Sequence, residues 1–354
     1  MNRSKLYQLG DVTIYNQDVL ALYDQWKTPN VIVSDGGYGV SGFRGDANEP
    51  SQLQAWYQPH IKAWSAYSRP GTTLWFWNTE VGWATVHPLL QENGWDYMGC
   101  NIWNKGIQHI AGNCNLPILK AFPVVTEVCV QYVRRPEFTA EDKVLTLKEW
   151  LRYEWERTGL PFSKTNEACE VANAATRKYF TKDHLWYAPP PDVFSKLVAY
   201  ANQYGTPEGR PYFSFDHQKP ALQSEYAKLF AKFQGKYGVT NVWEHPPLHN
   251  GERVRLPGSP KYAHLNQKPL KLISLILEVS SSLGDVIWEP FGGLCSVGLA
   301  SFLLNRVAYC AEMDSDIFQI ALKRFESQSS KLINKQLQLF EEKPAPMENM
   351  NTYA

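Results

Sequence analysis

The amino-acid sequence predicts an α/β protein in which the two ends of the chain build one sheet and the middle forms an insert. Short β-branched runs that end in polar residues alternate with helical spacings over the first ~135 residues, as in a buried parallel sheet. The same alternation of strand-like and helix-like runs returns near residue 257, and it is absent between these two regions. We therefore predict that 1–136 and 257–330 form the two halves of one domain, that 137–256 is an insert, and that 331–354 is a partly disordered tail.

The first half contains five predicted strands and one predicted helix. The strands are short β-branched or aromatic runs, and turn residues such as Pro70 and Gly71 lie beside them. Residues 18–26 carry apolar side chains at a helical spacing and are predicted to form the helix. The strand runs are Val12–Asn16, Val31–Asp35, Thr72–Asn78, Asn101–Lys105 and Thr126–Val133.

The second half repeats the alternation of helix and strand. Residues Pro269–Leu283 have apolar side chains on one helical face, with proline in the first turn and Gly284 at the stop. The elements that follow are a strand at Asp285–Pro290, a helix at Ser296–Asn305, a strand at Arg306–Glu312 and a helix at Ser315–Phe325.

Length and composition narrow the class of protein. A chain of 354 residues can bury one large core and carry an insert. Lys and Arg number 35, as do Asp and Glu, so the formal net charge is zero and a nucleic-acid partner has to be argued from local chemistry. The six cysteines show no metal-ligand spacing, and no apolar run is long enough to span a membrane. We expect a soluble cytoplasmic protein with reduced thiols, no metal and no membrane partner.

The segment Gly284–Ala300, GDVIWEPFGGLCSVGLA, has the form of a ligand-binding turn. A strand ends in the acid Glu289, passes through glycines and enters an apolar helix, so that the backbone can approach a ligand closely. The next strand also ends in an acid, Glu312, and a carboxylate there accepts hydrogen bonds from ribose hydroxyls in nucleotide-like sites. A βαβ crossover without any ligand has the same local pattern, so this stretch alone does not decide.

Three blocks around this turn resemble those of the amino-methyltransferase family. HLNQKPL at 264–270, EPFGG at 289–293 and AEMD at 311–314 are similar to the family's H-P-x-Q-K-P, D-P-F-x-G-x-G and G-x-E-x-D blocks, in the same order and spacing. In that family these blocks bind S-adenosylmethionine. The resemblance implies that Glu312 holds the ribose and that the other residues of the cofactor site in these blocks are Gln267, Lys268, Glu289, Phe291 and Gly293.

Three positions depart from the family's blocks. Leu265 stands where the first block usually has proline, Glu289 replaces the usual aspartate, and Cys295 replaces the second glycine. Because a side chain at position 295 removes backbone freedom that glycine would provide, we expect a wider turn there.

A fourth block lies near the N-terminus. NVIVSDGGYGV at 30–40 resembles the family's D-P-P-Y block, and the resemblance implies a catalytic site at Asp35, Gly36, Gly37 and Tyr38. An exocyclic amine is a poor nucleophile because its lone pair is delocalised into the ring. A carboxylate and a backbone carbonyl that accept its two N–H bonds free the lone pair and stabilise the charge that develops during attack. The tyrosine offers a stacking face to a flipped base.

Two glycines replace the family's two prolines in this block. The carbonyl of residue 36 is kept, but the φ restraint of proline is lost. Either the site is looser in the absence of DNA, or glycine is needed for a special backbone angle. An ordinary Gly-rich turn without catalytic function is the remaining alternative.

Further matches extend the resemblance. Asp18 stands at the position that lies close to the cofactor's adenine in the family, although it would equally serve as a helix N-cap. CNIWNKG at 100–106 and TEVCVQYVRR at 126–135 resemble the family's later strands. The block order is that of the permuted β-type members, and the resemblance covers about 1–135 and 260–326. It implies a Rossmann-like methyltransferase sheet flanked by helices, with an inserted target-recognition region.

The insert offers one candidate for DNA recognition. Residues Ser163–Tyr187 have the spacing of a helix-turn-helix, and Arg177, Lys178 and Trp186 are the predicted DNA contacts. A packed helical pair without DNA contact fits equally well, because two glutamates in the same stretch argue against a strongly basic face. The two histidines of residues 242–254 have no third ligand nearby, so no metal site is predicted.

The resemblance implies a site-specific DNA methyltransferase that moves a methyl group from S-adenosylmethionine to the exocyclic amine of a flipped base. Asp35 favours adenine N6, because cytosine-N4 relatives more often carry serine there; Ser34 precedes it, so a shift of one residue would favour cytosine. A catalytically impaired DNA-binding relative and methylation of RNA or protein are the alternatives. Double-stranded DNA is the expected partner, and we expect the protein to be nucleoid-associated and of bacterial or phage type. A cognate restriction endonuclease and a homodimer are left open.

Overall fold

The computed structural model describes residues 6–41, 45–110, 119–207, 209–248, 252–264 and 266–341. The strands of this part of the chain are β1 (Leu6–Leu9), β2 (Val12–Tyr15), β3 (Val31–Ser34), β4 (Thr73–Asn78), β5 (Trp95–Asn104), β6 (Thr126–Arg134), β7 (Glu137–Ala140), β8 (Lys143–Thr146), β9 (Val242–Glu244), β10 (Val286–Glu289) and β11 (Val307–Ala311). β7 and β8 pair with each other as a hairpin, and the others join one sheet.

The large sheet has the spatial order β1–β2–β11–β10–β3–β4–β6–β5–β9. From β2 to β4 all neighbours are parallel. β6 runs antiparallel to both of its neighbours, β9 extends the sheet parallel to β5, and β1 forms the antiparallel far edge. The chain leaves β10 towards β11 on one side and leaves β3 towards β4 on the other. The adjacent strands β10 and β3 therefore open a crevice between their carboxyl ends.

Helices cover both faces of the sheet. The helices of the described residues are α1 (Leu53–Tyr67), α2 (Glu80–Glu92), α3 (Leu147–Arg157), α4 (Lys164–Ala168), α5 (Ala174–Tyr179), α6 (Pro191–Tyr204), α7 (Gln223–Ala227), α8 (Leu270–Ser280), α9 (Ser296–Leu303) and α10 (Ser315–Glu341), of which α1, α2 and α8 to α10 cover the sheet. In β4, Leu74 and Phe76 pack into the core beneath α1 and α2, whereas Trp75 and Trp77 pack into the core beneath α8, α9 and α10. A strand that is buried on both faces requires a continuous apolar run, which TLWFW supplies.

Helices α3 to α7 and the β7–β8 hairpin form an insert with a hydrophobic core of its own. At its centre the Glu154 carboxylate is buried, where it accepts a hydrogen bond from the amide of Phe213 (2.7 Å). It also pairs with Arg157 (2.7 Å) and Arg210 (2.8 Å). These partners offset the cost of burying a charge, and they hold Phe213 at a left-handed φ of 52°.

The structure confirms the predicted strands in both halves and corrects two predicted elements. Residues 18–26 form a 3-10 turn at Val19–Ala21 rather than a longer helix. β9 lies within the predicted insert but pairs with β5 in the large sheet, so the insert ends before Val242 and not at 256. A strand of three residues is too short to show a period of two in the sequence.

The last helix is longer than the sequence predicts. α10 continues from Ser315 to Glu341, past the predicted end at Phe325 and into the predicted tail. This stretch contains no glycine or proline to interrupt a helix. Residues 342–354 lie outside the described residues. Of the helices described, none combines the length and apolarity that crossing a bilayer requires.

Candidate active site

A cleft of about 600 Å³ opens at the carboxyl ends of β2, β3, β10 and β11. This volume suits a small-molecule ligand. The candidate residues belong to distant parts of the sequence, and the parallel strand order brings them together. The cleft is lined by every residue that the sequence predicts for catalysis and cofactor binding, namely Asp18, Asp35, Gly36, Gly37, Tyr38, Gln267, Lys268, Glu289, Phe291, Gly293 and Glu312.

Asp35, the residue after β3, has one carboxylate oxygen fixed and one left open. The Tyr38 hydroxyl donates to Oδ1 (2.8 Å), and the Lys268 ammonium donates to the same oxygen (2.7 Å). Within the described residues no donor reaches Oδ2. The carboxylate is thus oriented by two protein donors and still offers an acceptor to a ligand in the cleft.

Lys268 is buried between two carboxylates. Its ammonium is 2.7 Å from Asp35 Oδ1 and 3.3 Å from Glu127 Oε2, and the other oxygen of Glu127 pairs with Lys105. Burial acts to lower the pKa of Lys268, but Asp35 and Glu127 outweigh it and hold this pKa above its ordinary value. Burial acts to raise the pKa of Glu127, but Lys268 and Lys105 hold it below its ordinary value. Lys268 and Glu127 therefore stay charged together.

The two residues predicted to bind the cofactor through the first block direct their polar groups elsewhere. Lys268 contacts Asp35. The side-chain oxygen of Gln267 accepts from the amide of Val254 (3.0 Å), and its nitrogen donates to the carbonyl of Glu252 (2.9 Å). The order of the blocks predicts that both residues lie in the cleft wall, but it carries no signal for the direction of a side chain.

Gly36 and Gly37 are required by close packing and not by a special backbone angle. Neither has a positive φ. A Cβ on Gly36 would lie 2.7 Å from the Phe291 ring and 2.8 Å from the Tyr57 hydroxyl. A Cβ on Gly37 would lie 2.6 Å from an Asp46 oxygen. The Tyr57 hydroxyl donates to the carbonyl of Gly37 (3.0 Å), whereas the carbonyl of Gly36 accepts no hydrogen bond from the described part of the chain.

Asp46 holds the turn after β3 in place. Its carboxylate accepts hydrogen bonds from the amides of Tyr38 (2.9 Å) and Gly39 (3.1 Å). Gly39 has a φ of 69°, and a Cβ there would lie 2.7 Å from the backbone of Pro50, so glycine is needed for both angle and space. The sequence gives no periodic signal for Asp46, because it lies in a polar loop.

The acid at the end of β10 anchors a helix. Glu289 is buried, and its two oxygens accept the amides of Val297 (3.0 Å) and Gly298 (2.8 Å) at the N-terminus of α9. Burial raises the pKa of Glu289 to about 7, although these two hydrogen bonds act to lower it. Glu289 lines the cleft as predicted, but its carboxylate is used as a helix cap.

The acids after β11 and β2 also fix the backbone beside the cleft. Glu312 accepts one amide on each oxygen, from Gly293 (2.8 Å) and Asp314 (2.7 Å), and so ties the ends of β10 and β11 together. Asp18 Oδ1 accepts the amide of Leu20 (3.0 Å). Its predicted alternative role as an N-cap is therefore confirmed, while its side chain also lines the cleft.

An aromatic wall from α1 faces the cofactor turn. The Phe291 ring lies 5.1 Å from the ring of Trp56 and 4.9 Å from that of His60, centroid to centroid. Burial lowers the pKa of His60 to about 4, so this ring is neutral near pH 7. Sequence reasoning missed Trp56 and His60. Their spacing of four residues on one face of a helix was the available signal.

Cys295, which stands where the family's block has its second glycine, adopts a left-handed conformation, with φ 52° and ψ 49°. A Cβ costs ~1 kcal/mol or more in this conformation. We expect Cys295→Gly to have a free energy of unfolding about 1 kcal/mol higher than Cys295→Ala, because both variants lose the buried thiol but only alanine keeps the strain. Denaturant unfolding of the two variants measures this difference, and the opposite order of stability would contradict the strain.

The predicted DNA contacts of the insert fall into two kinds. Arg177 and Lys178 are exposed on α5, a helix of six residues that packs beside α4. Trp186 is half-buried against the core of the insert, and its ring N–H donates to the carbonyl of Tyr179 (2.9 Å). The structure thus contains the predicted helical pair, α4 and α5, and the ring N–H of Trp186 is hydrogen-bonded within the insert. His249 lies outside the described residues.

Fold and cleft together define an α/β protein with a methyltransferase-type sheet and a ligand cleft at the divergence of β3 and β10. The family model described as DNA methylase (N6_N4_Mtase) matches residues 29–323. The chain therefore belongs to this N6/N4 DNA methylase family.

Two relatives show how far the similarity extends. The chain is 24% identical over 147 residues to Type II methyltransferase M2.MboI of Moraxella bovis, which covers 42% of this chain and 49% of the relative. It is 30% identical over 86 residues to DNA adenine methyltransferase YhdJ of Escherichia coli (strain K12), covering 24% and 27%. The matched part thus spans about half the length of the first relative and about a quarter of the second.

A solved structure supports the fold. The PvuII DNA methyltransferase, described as cytosine-N4-specific, superposes with a TM-score of 0.50 at 11% identity, over 90% of this chain and 88% of that one. At this identity the likeness shows the fold, a Rossmann-like methyltransferase sheet flanked by helices.

Proposed function

We propose that this protein transfers a methyl group from S-adenosylmethionine to the exocyclic amine of a flipped base in double-stranded DNA, with adenine N6 as the target. The observation that carries this proposal is the acceptor pair at the end of β3. Asp35 and Gly36 are adjacent in the chain and both line the cleft, and neither Asp35 Oδ2 nor the carbonyl of Gly36 is bonded by the described part of the chain.

The cleft has the features that the cofactor requires. A Cβ on Gly292 would lie 2.9 Å from the carbonyl of Ala311, so the turn after β10 packs too closely for a side chain and keeps the backbone near a ligand. Glu312 and Asp18 would hold polar groups of the cofactor, because each carboxylate has lone pairs beyond its amide bond, and Phe291 would pack against its apolar parts. Bound S-adenosylmethionine supplies an electrophilic methyl group on a sulfonium.

The residues of the chain then activate the amine. Asp35 Oδ2 and the Gly36 carbonyl accept its two N–H bonds, which draws the lone pair out of conjugation with the ring. Lys268 and Tyr38 fix the orientation of Asp35 before the substrate arrives, so little reorganisation is needed as positive charge develops on the nitrogen. Asp35 Oδ2 is the acceptor within reach for the proton that the nitrogen then loses.

The choice of adenine depends on which residue occupies the catalytic position. Ser34 is the last residue of β3 and is fully buried, whereas Asp35 lines the cleft. This supports the alignment in which aspartate, and not serine, is the catalytic residue. The relative YhdJ is named an adenine methyltransferase, while the PvuII enzyme is described as cytosine-N4-specific, so the two comparisons do not favour one base.

The proposal assigns DNA recognition to the insert, through exposed cations such as Arg177 and Lys178. Because the relative M2.MboI is named a type II methyltransferase, a cognate restriction endonuclease is the protein partner that this proposal adds.

Methyl transfer from labelled S-adenosylmethionine tests the proposal. We expect incorporation into unmethylated duplex DNA and none into RNA or protein, and sequencing with modified-base detection should locate N6-methyladenine at one recurrent sequence. N4-methylcytosine would overturn the choice of base. DNA binding without incorporation would favour a catalytically impaired relative, for which the heat-inactivated protein supplies the background level.

A further inference from the structure

The segment that joins β9 to α8 folds back on itself at the rim of the cleft. Within it, residues 252–264, which we call the rim segment, are closed by an isolated antiparallel bridge between Arg255 and Tyr262. The amide of Ala263 donates to the carbonyl of Val254 (2.9 Å). Ala263 and the next residue line the cleft, so this rim segment is continuous with the wall of the active site.

The rim segment carries an organised group of cations. The guanidinium carbons of Arg253 and Arg255 lie 3.8 and 5.3 Å from the centroid of the Tyr262 ring. Arg253 Nη1 also donates to the carbonyl of Leu248 (3.5 Å), and Arg255 Nη1 donates to the carbonyl of Pro260 (3.0 Å). Stacking and these bonds together fix the plane of each guanidinium, a group with five N–H donors. Lys261 is exposed at the turn. The one carboxylate of the segment, Glu252, accepts the amide of Leu270 at the start of α8 (2.6 Å).

Two observations fix this group relative to the catalytic acid. Gln267 bonds the backbone of the rim segment at residues 252 and 254, and the next residue, Lys268, holds Asp35. Arg253 also lies close to the exit of β5: burial lowers the pKa of His109, and the charges of Lys105 and Arg253 lower it further. The cations therefore stand beside the mouth of the site and not inside the cleft, where neither arginine is found.

We propose that Arg253, Arg255 and Lys261 bind the phosphate backbone of the duplex next to the flipped base. This inference rests on the proposed function, since it requires DNA as the substrate. With a formal net charge of zero, the protein has no long-range attraction for DNA, so its affinity must come from local groups of cations. Guanidinium groups held in a fixed plane suit phosphate oxygens, and such contacts set the register of the duplex without reading its sequence.

Because Gln267 attaches the rim segment to the backbone next to Lys268, phosphate binding there would also position the duplex relative to Asp35. A duplex held by the rim segment is placed at a fixed distance from Asp35, whatever sequence the insert selects. The methyltransferase domain itself would then position the target strand, and the insert would choose the site.

The salt dependence of DNA binding tests the inference. The double variant Arg253→Gln, Arg255→Gln removes two phosphate contacts and should reduce the slope of log Kd against log [NaCl] by about 1.8, at about 0.9 for each contact. The measurement is fluorescence anisotropy of a short mixed-sequence duplex over a series of NaCl concentrations. The variant Arg253→Lys, Arg255→Lys keeps the charges and should restore the slope.

Lys27→Gln, Arg69→Gln is the matched control. It removes the same charge from exposed side chains that precede β3 and β4, at the edge of the sheet opposite the cleft, and its slope should equal that of the wild type. If the slope is unchanged in Arg253→Gln, Arg255→Gln, or falls equally in the control, the rim segment is not a phosphate site. The proposed function would still stand in that case, provided that the wild type methylates DNA. A wild type that neither binds nor methylates duplex DNA would overturn the proposed function as well.

Discussion

Replacing Asp35 by alanine is expected to lower the rate of methyl transfer at least ~10²–10³-fold, as removal of one group that stabilises a charged transition state does. The variant loses the Oδ2 acceptor for the amine. The backbone that carries the cleft should remain, because the hydrogen bonds of Glu312, Glu289 and Asp46 do not involve Asp35. Cofactor affinity should therefore change little. Single-turnover transfer and calorimetric titration with S-adenosylmethionine measure the two quantities.

Glu312→Ala is the matched control, with the opposite pattern. It removes an acceptor beside the cofactor turn and the bonds to the amides of Gly293 and Asp314. Loss of a charged acceptor costs ~1.5–3 kcal/mol, so cofactor affinity should fall before the chemical step is affected. If Asp35→Ala abolished cofactor binding in a folded protein, the catalytic and cofactor roles assigned to the two strand ends would be wrong.

The resemblance to the family's blocks implies which residues line the cleft, and a geometric rule about strand ends agrees with it. Acids and glycines that follow parallel strands must meet at one edge of the sheet, and Asp35, Glu289 and Glu312 do so although 277 positions separate the first from the last. The rule says nothing about where a side chain points. Glu289 caps α9 and Lys268 contacts Asp35, and both are contacts that depend on packing between distant segments.

The residues to which sequence reasoning assigned no role share one property, which is that their contacts join separate parts of the chain. Glu127 and Lys105 stand in the two blocks that resemble the family's later strands, but sequence reasoning assigned neither a role in the site. Glu127 lies on β6 and Lys105 directly follows the neighbouring strand β5, and the two meet because β6 is antiparallel to β5. Asp46 lies in a loop without periodicity. The same limit explains the misplaced end of the insert, since three residues of β9 join the sheet through backbone hydrogen bonds and not through a recognisable side-chain pattern.

The charged group around Lys268 leads to the prediction with the next largest effect. Lys268→Met should lower the transfer rate by at least about tenfold and destabilise the fold by up to ~3 kcal/mol, because a buried ion pair that loses one partner leaves the other charge uncompensated. Asp35 and Glu127 would face each other without the cation between them. The pKa of Glu127 should then rise, because burial raises it and only Lys105 is left to lower it.

The pH dependence of the transfer rate and of stability distinguishes an electrostatic role of Lys268 from a purely structural one. In the wild type the pKa of Lys268 is raised, so its charge and the stability that it contributes are present below its ordinary pKa of 10.5 and are lost only as the pH rises through the higher folded value. The pKa of Glu127 is lowered, so its contribution is present above its ordinary 4.5 and is lost only as the pH falls through the lower folded value. Neither group titrates at neutral pH in the wild type, and these groups should give no pH dependence of the rate there.

In Lys268→Met the rate should rise with pH, as Glu127 loses the proton that it holds more tightly without the cation. Lys268→Arg, which keeps a cation between the carboxylates, should restore the wild-type profile even if its larger head group lowers the rate. Single-turnover rates of the three proteins at a series of pH values, with thermal unfolding at each pH, make the comparison. A methionine variant with a lower rate but the pH profile of the wild type would show that Lys268 supports the fold without governing the charge of the neighbouring carboxylates.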